Sequence, residues 1–95
     1  MFVVLLKFSE NKGRAGEFMD GHKDWLQRGF DEGVFLLSGS LLPGLGGAIL
    51  ADGIAPGALR ARVDADPFVA ENVVSAEIIE IEPSRADDRL AFLLG

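Results

Sequence analysis

Val34-Phe35-Leu36-Leu37-Ser38-Gly39-Ser40-Leu41-Leu42, Pro43-Gly44-Leu45-Gly46-Gly47 and Ala48-Ile49-Leu50-Ala51 follow one another without interruption, two apolar runs around a cluster of chain breakers. Runs of this composition suit strands, and the Pro and Gly residues between them turn the chain. Upstream, over residues 14–33, the apolar positions Ala15, Phe18, Met19, Trp25, Leu26 and Phe30 recur at helical spacing. Asn11 is placed to cap that helix and Gly33 to stop it. Residues 1–9, rich in Val, Leu and Phe, read as the first strand. Downstream, Pro56 suits the first turn of a second helix to about residue 65, with Leu59 and Val63 one turn apart. Asp66-Pro67 opens a further short helical piece, and residues 73–81 form a last strand that Pro83 ends.

The order is therefore βαββαβ, an α+β, ferredoxin-like arrangement with a four-stranded antiparallel sheet. Residues 1–83 make the domain and residues 84–95 a C-terminal tail. Two helices cover one face of such a sheet, yet the first and last strands carry apolar residues on both faces. Val3 and Leu5 oppose Phe2, Val4 and Leu6, and Val73, Ile79 and Ile81 oppose Val74, Ala76 and Ile78. A second cover is required. A second copy of the chain supplies it most simply, giving a homodimer, with the tail sealing an edge or crossing to the partner. The competing cover is the tail itself, through Leu90, Phe92, Leu93 and Leu94.

Composition narrows the classes of function. At 95 residues, 48% hydrophobic and 25% charged, the chain is one ordinary globular domain. The net charge is −6 and the nine basic residues are scattered, which argues against a nucleic-acid surface. With no cysteine there is no disulfide or thiolate metal site. The apolar N-terminus is short and has no basic leader, and no run is long enough to span a bilayer, so a cytoplasmic setting without membrane contact is expected.

Few residues are left to carry chemistry. Gly44-Leu45-Gly46-Gly47 completes no dinucleotide fingerprint, and Leu45 stands where a phosphate loop needs lysine. These glycines read as turn residues. No serine lies in a nucleophile elbow. One histidine with scattered carboxylates makes no transition-metal site, so neither metal nor cofactor is expected. That histidine, His22, falls on the apolar stripe of the first helix, three or four residues from Phe18, Met19, Trp25 and Leu26. Inward placement at helical spacing ordinarily means packing, a buried imidazole donating to a carbonyl. It also suits a proton-transfer group that titrates near neutrality. Asp66 follows the second helix on the same side of the sheet. A carboxylate can orient the ring while its other nitrogen moves a proton. Asp before Pro is equally ordinary capping chemistry, and the two roles are compatible if each uses a different carboxylate oxygen.

His22, the run Gly33-Val34-Phe35-Leu36-Leu37 leading to Ser38-Gly39, and Asp66-Pro67-Phe68 together resemble the YciI-like (YCII-related) proteins, over residues 1–83. The resemblance implies a dimeric α+β barrel type of assembly and a His–Asp pair in a cleft, with His22 and Asp66 in those places. It also implies small organic molecules, often aromatic, as ligands. The chain departs from the pattern in having Ser40 after Gly39, where proline is common, and Phe18 and Met19 where an arginine often stands a turn before the histidine.

Two functions are compatible with these residues. One is a small cofactor-independent enzyme, a lyase, isomerase or hydrolase, in which His22 and Asp66 do acid–base work. Ser38, Gly39 and Ser40 would then contact the small-molecule substrate, and Trp25 and Phe68 would line its pocket. The other is a ligand-binding or assembly domain in which the His–Asp hydrogen bond is structural and Trp25 and Phe68 are core.

Overall fold

The computed structural model describes residues Met1–Gly95. Its order is β1 (Phe2–Phe8), α1 (Ala15–Asp31), β2 (Phe35–Leu41), β3 (Gly46–Ala51), α2 (Pro56–Asp64), α3 (Pro67–Ala70) and β4 (Val74–Glu80). The strands form one antiparallel sheet in the order β2-β3-β1-β4. This is the ferredoxin-like α+β architecture, with both long helices on one face.

The strand period of two sets that face. Phe2, Val4 and Leu6 of β1 are buried, while Val3 and Leu5 between them are only half-buried. Over the buried row lie Trp25 of α1, Leu59 and Val63 of α2 and Phe68 of α3. Leu59 and Val63 are fully enclosed, as their one-turn spacing requires. Each such side chain contributes about 1.5–3 kcal/mol by leaving water.

Local signals decide the ends of α1. Gly33 adopts a left-handed φ of 74°. Its N–H donates to the Phe30 carbonyl, and that of Val34 to the Gly29 carbonyl, so the last turn closes by the paired bonds that a glycine in this position permits. At the other end the expected Asn11 cap is not formed. A single 3-10 turn over Lys12–Arg14 intervenes, so Arg14 takes the capping position without a side-chain bond. The Asn11 Nδ2 instead donates to the Glu71 carbonyl at 2.8 Å, tying the β1–α1 turn to the end of α3.

Gly46 and Gly47 also depart from expectation, since they belong to β3 and not to the turn before it. At φ 135°, Gly46 passes so close to β1 that a Cβ would lie 2.0 Å from the Leu6 carbonyl oxygen. Only glycine can continue the ladder there.

The opposite face of the sheet carries a second apolar set, half-buried at Val3, Leu5 and Leu50. Leu37, Leu50, Val3 and Ile79 stand opposite one another across all four strands and make an apolar row on that face. Its ends are open, with Leu37 55% and Ile79 41% exposed. The tail ends in a 3-10 segment, Asp88–Leu94, whose Leu90, Phe92 and Leu94 are themselves exposed. No helix is long and apolar enough to cross a membrane.

Candidate functional site

Asp66 is fully buried and stands at the N-cap of α3 with extended backbone. The cap is formed by Oδ1, which accepts from the Phe68 N–H at 3.0 Å. Asp then Pro makes this joint: the carboxylate accepts from the first turn, and Pro67 occupies a position whose N–H would have no partner. The same short helix holds Phe68 beneath α1.

His22 comes to this joint from the middle of α1. Its Nδ1 lies 2.9 Å from Oδ1 and 3.0 Å from Oδ2 of Asp66, so one ring nitrogen faces both carboxylate oxygens. The two roles of Asp66 are thus not divided between its oxygens, because Oδ1 serves the cap and the imidazole together. No other side chain donates to this carboxylate, and a ring nitrogen facing it satisfies it by carrying the proton, as in the Nδ1–H tautomer. The ring is clamped flat. It stacks on Phe68 with centroids 4.1 Å apart and planes 5° apart, and Trp25 lies beside it at 5.8 Å.

The opposite nitrogen is free. Nε2 makes no hydrogen bond, yet no buried side-chain nitrogen or oxygen lacks a partner, so Nε2 is at a position that solvent reaches. The His22 side chain as a whole is 16% exposed, against none for Asp66. Two adjoining hollows of about 200 and 190 Å³ meet at the imidazole. Both are bounded by His22, Leu6, Gly39 and Gly47. One extends toward Met19, Phe8 and Phe68, with Ser40 at its side. The other runs toward Leu26 and Ile49, with Ser38 at its side.

Ser38, Gly39, Ser40 and Phe68 therefore border the same space as His22. Trp25 does not. It is 3% exposed, its indole N–H donates to the Arg62 carbonyl at 2.9 Å, and its ring stacks against the imidazole, 27° from parallel. Gly47 lies outside the sequence-based set and borders both hollows. The signal that could have found it is its register opposite Leu6 and Ser40, which places it on the helix-covered face. Chemically, the arrangement is an imidazole with one nitrogen fixed by a buried carboxylate and the other without a protein partner, on a residue that borders a small, mostly apolar space. Such a group can take a proton from a bound molecule and return it. No three His, Asp or Glu residues converge to hold a metal ion.

No family model matches the chain, and no curated protein does. Among solved structures it is similar to 5-chloro-2-hydroxyhydroquinone dehydrochlorinase (TftG) from Burkholderia phenoliruptrix AC1100, determined in complex with 2,5-dihydroxybenzoquinone. The superposition has a TM-score of 0.70 at 10% identity and covers 88% of this chain and 96% of the other. At that identity the likeness establishes a shared fold, which an enzyme acting on a small organic molecule also uses.

Proposed function

We propose that the protein is a small enzyme of the YciI-like type that performs proton-transfer chemistry on a small organic molecule, with His22 as the acid–base group and Asp66 as its positioning partner. The observation that carries this reading is the asymmetry of the imidazole. Nδ1 is locked to a fully buried carboxylate at 2.9 Å, while Nε2 has no protein partner, is reached by solvent and belongs to the residue that borders both hollows. A histidine held only for packing has no need of an open nitrogen. In an elimination, Nε2 would take the substrate proton and the electrons of that bond would form the new double bond. The leaving group would depart with its own bonding pair. Asp66 would stabilise the imidazolium until its proton passes to solvent or to the departing group. The dehydrochlorinase that shares the fold supports this reaction class, and isomerisation or hydrolysis would use the same pair.

The working unit in this reading is residues 1–83, paired with a second copy through the open sheet face in a cytoplasmic setting. The competing reading, a binding domain with a structural His–Asp bond, draws on the Asp66 cap, which holds α3 whatever the imidazole does.

The test is turnover of chlorinated and hydroxylated hydroquinones, followed by halide release and by exchange of ring protons in deuterated water. The wild-type chain should be active. Asp66→Asn and His22→Gln should each lower the rate about 10²–10⁴-fold, the range expected for loss of a positioned acid–base group. Equal rates in all three proteins would overturn the assignment.

A further inference from the structure

We infer, resting on the reading above, that the cleft beside His22 takes a flat, uncharged ring, and that Gly47 is the residue that sets the size of its seat. The sheet register provides the opening. Leu6, Gly47 and Ser40 stand opposite one another on β1, β3 and β2, on the face that the helices cover. Neighbouring rows on that face fill the space beneath the helices with side chains such as Val4 and Ile49. At Gly47 there is none, and both hollows open there. A Cβ added to Gly47 would meet only one atom within 4 Å, the Gly39 carbonyl oxygen at 3.3 Å. That contact is tight but would yield to a shift of a few tenths of an ångström, unlike the 2.0 Å approach at Gly46. What its missing side chain leaves is the cleft.

The shape of that space suits a ring. Its floor is the backbone of Gly39 and Gly47, on which a planar molecule can lie closely. One hollow of about 200 Å³ exceeds the roughly 150 Å³ of an apolar cavity that binds benzene. Phe68 stacks on the imidazole at 4.1 Å, Trp25 stacks at 5.8 Å and 27° from parallel, and Asp66 holds Nδ1, which leaves Nε2 as the ring nitrogen for a ligand.

Charge decides the class of ring. Apart from His22, no residue bordering either hollow is ionisable. A carboxylate or phosphate entering would lose its water with no lysine or arginine to replace it. Ser38 and Ser40 offer hydroxyls instead, which suit phenol or carbonyl oxygens.

The experiment is an NMR titration of the ¹⁵N-labelled chain with hydroquinone and with 2,5-dihydroxybenzoate, the same ring bearing one carboxylate. Hydroquinone should shift the Gly39, Gly47 and His22 resonances, and the benzoate should bind at least about tenfold more weakly. Gly47→Val should weaken hydroquinone binding by at least about tenfold, and Gly47→Ala by less. In both variants the low-field proton shared by His22 Nδ1 and Asp66 should persist, which separates a filled seat from a lost fold. Benzoate binding as tight as hydroquinone overturns the uncharged class. Undiminished binding by Gly47→Ala together with Gly47→Val overturns the seat, and no shift at His22 with either compound overturns both. Hydroquinone binding as described, with neither halide release nor exchange of ring protons in any compound bound, leaves the seat standing and removes the proton-transfer reading.

Discussion

A Cβ on Gly29 would lie 2.0 Å from Cδ2 of Phe35 and 2.2 Å from Cε2. The ring of Phe35, 2% exposed, fills the place of a side chain on α1 and meets Trp25 at a tilt and Phe30 edge-on. Gly29→Ala should therefore destabilise the chain in spite of alanine's better helix propensity, by about 1–3 kcal/mol for overpacking. Thermal unfolding would register this as a fall of several degrees, and an unchanged or raised Tm would contradict the packing described. At Asp66 a substitution separates two roles. In Asp66→Asn the side-chain oxygen could keep the cap by accepting from the Phe68 N–H, but the amide nitrogen would then face Nδ1 with a donor. Nδ1 would then meet one acceptor and one donor in place of two acceptors, and the imidazole would lose the carboxylate that stabilises its protonated form. Asp66→Asn should thus keep most of the stability while losing activity, whereas Asp66→Ala should lose both. Calorimetry of the two variants beside the rate assay checks this, and a similar loss of Tm in each would place the value of Asp66 in structure alone.

Among helices and strands, the chain order is legible because each segment carries its own signal. Helical spacing runs through α1, Asp-Pro opens α3, and Gly33 sits where only a left-handed residue closes the helix. The features that escape a reading of the sequence are set by contacts distant along the chain. Asn11 has good capping chemistry, but the carbonyl of Glu71 takes its side chain. Gly46 resembles a turn residue until the closeness of Leu6 is known. For the site, spacing points His22 inward and Asp-Pro marks a cap, but spacing alone does not bring two residues 44 positions apart within 2.9 Å. The helix pair has one long-range ion pair of this kind on its surface. Arg62 of α2 forks onto Glu32 just past α1, at 2.9 and 3.3 Å. Its hydrogen bond and charge hold the Glu32 carboxyl below the ordinary 4.5. Because the folded state lowers this value, the stabilisation is present above the unfolded value and is lost as pH falls through the folded one. The stability difference between wild type and Glu32→Gln should accordingly be present near neutrality and vanish in acid, by denaturant titration at both pH values. A difference that persists unchanged in acid would show that the pair is not its source.

The complete domain is unbalanced in a way that none of its parts is. Helices cover one face of the sheet, while the row Leu37, Leu50, Val3 and Ile79 crosses the other, half-buried in the middle and exposed at both ends. Ile81, 41% exposed, extends the apolar surface beyond the end of β4. A contiguous apolar band of this kind marks an interaction surface in a chain of this size. The tail leaves most of its apolar side chains open, with Leu90, Phe92 and Leu94 48%, 57% and 50% exposed and Leu93 alone half-buried. A second copy presents the same row and can meet it about a twofold axis, each copy covering what the other leaves open. Sedimentation of the wild-type chain at micromolar concentration should give twice the chain mass. Ile79→Lys puts a charge in the row at a position whose neighbour across β1 is Val3, and should yield a folded monomer. Residues 1–83 alone should remain dimeric if the sheet face is the interface, because the row lies wholly within them. A monomeric wild type would refute the pairing, and a dimer that survives Ile79→Lys but not removal of the tail would move the interface to Leu90, Phe92 and Leu94.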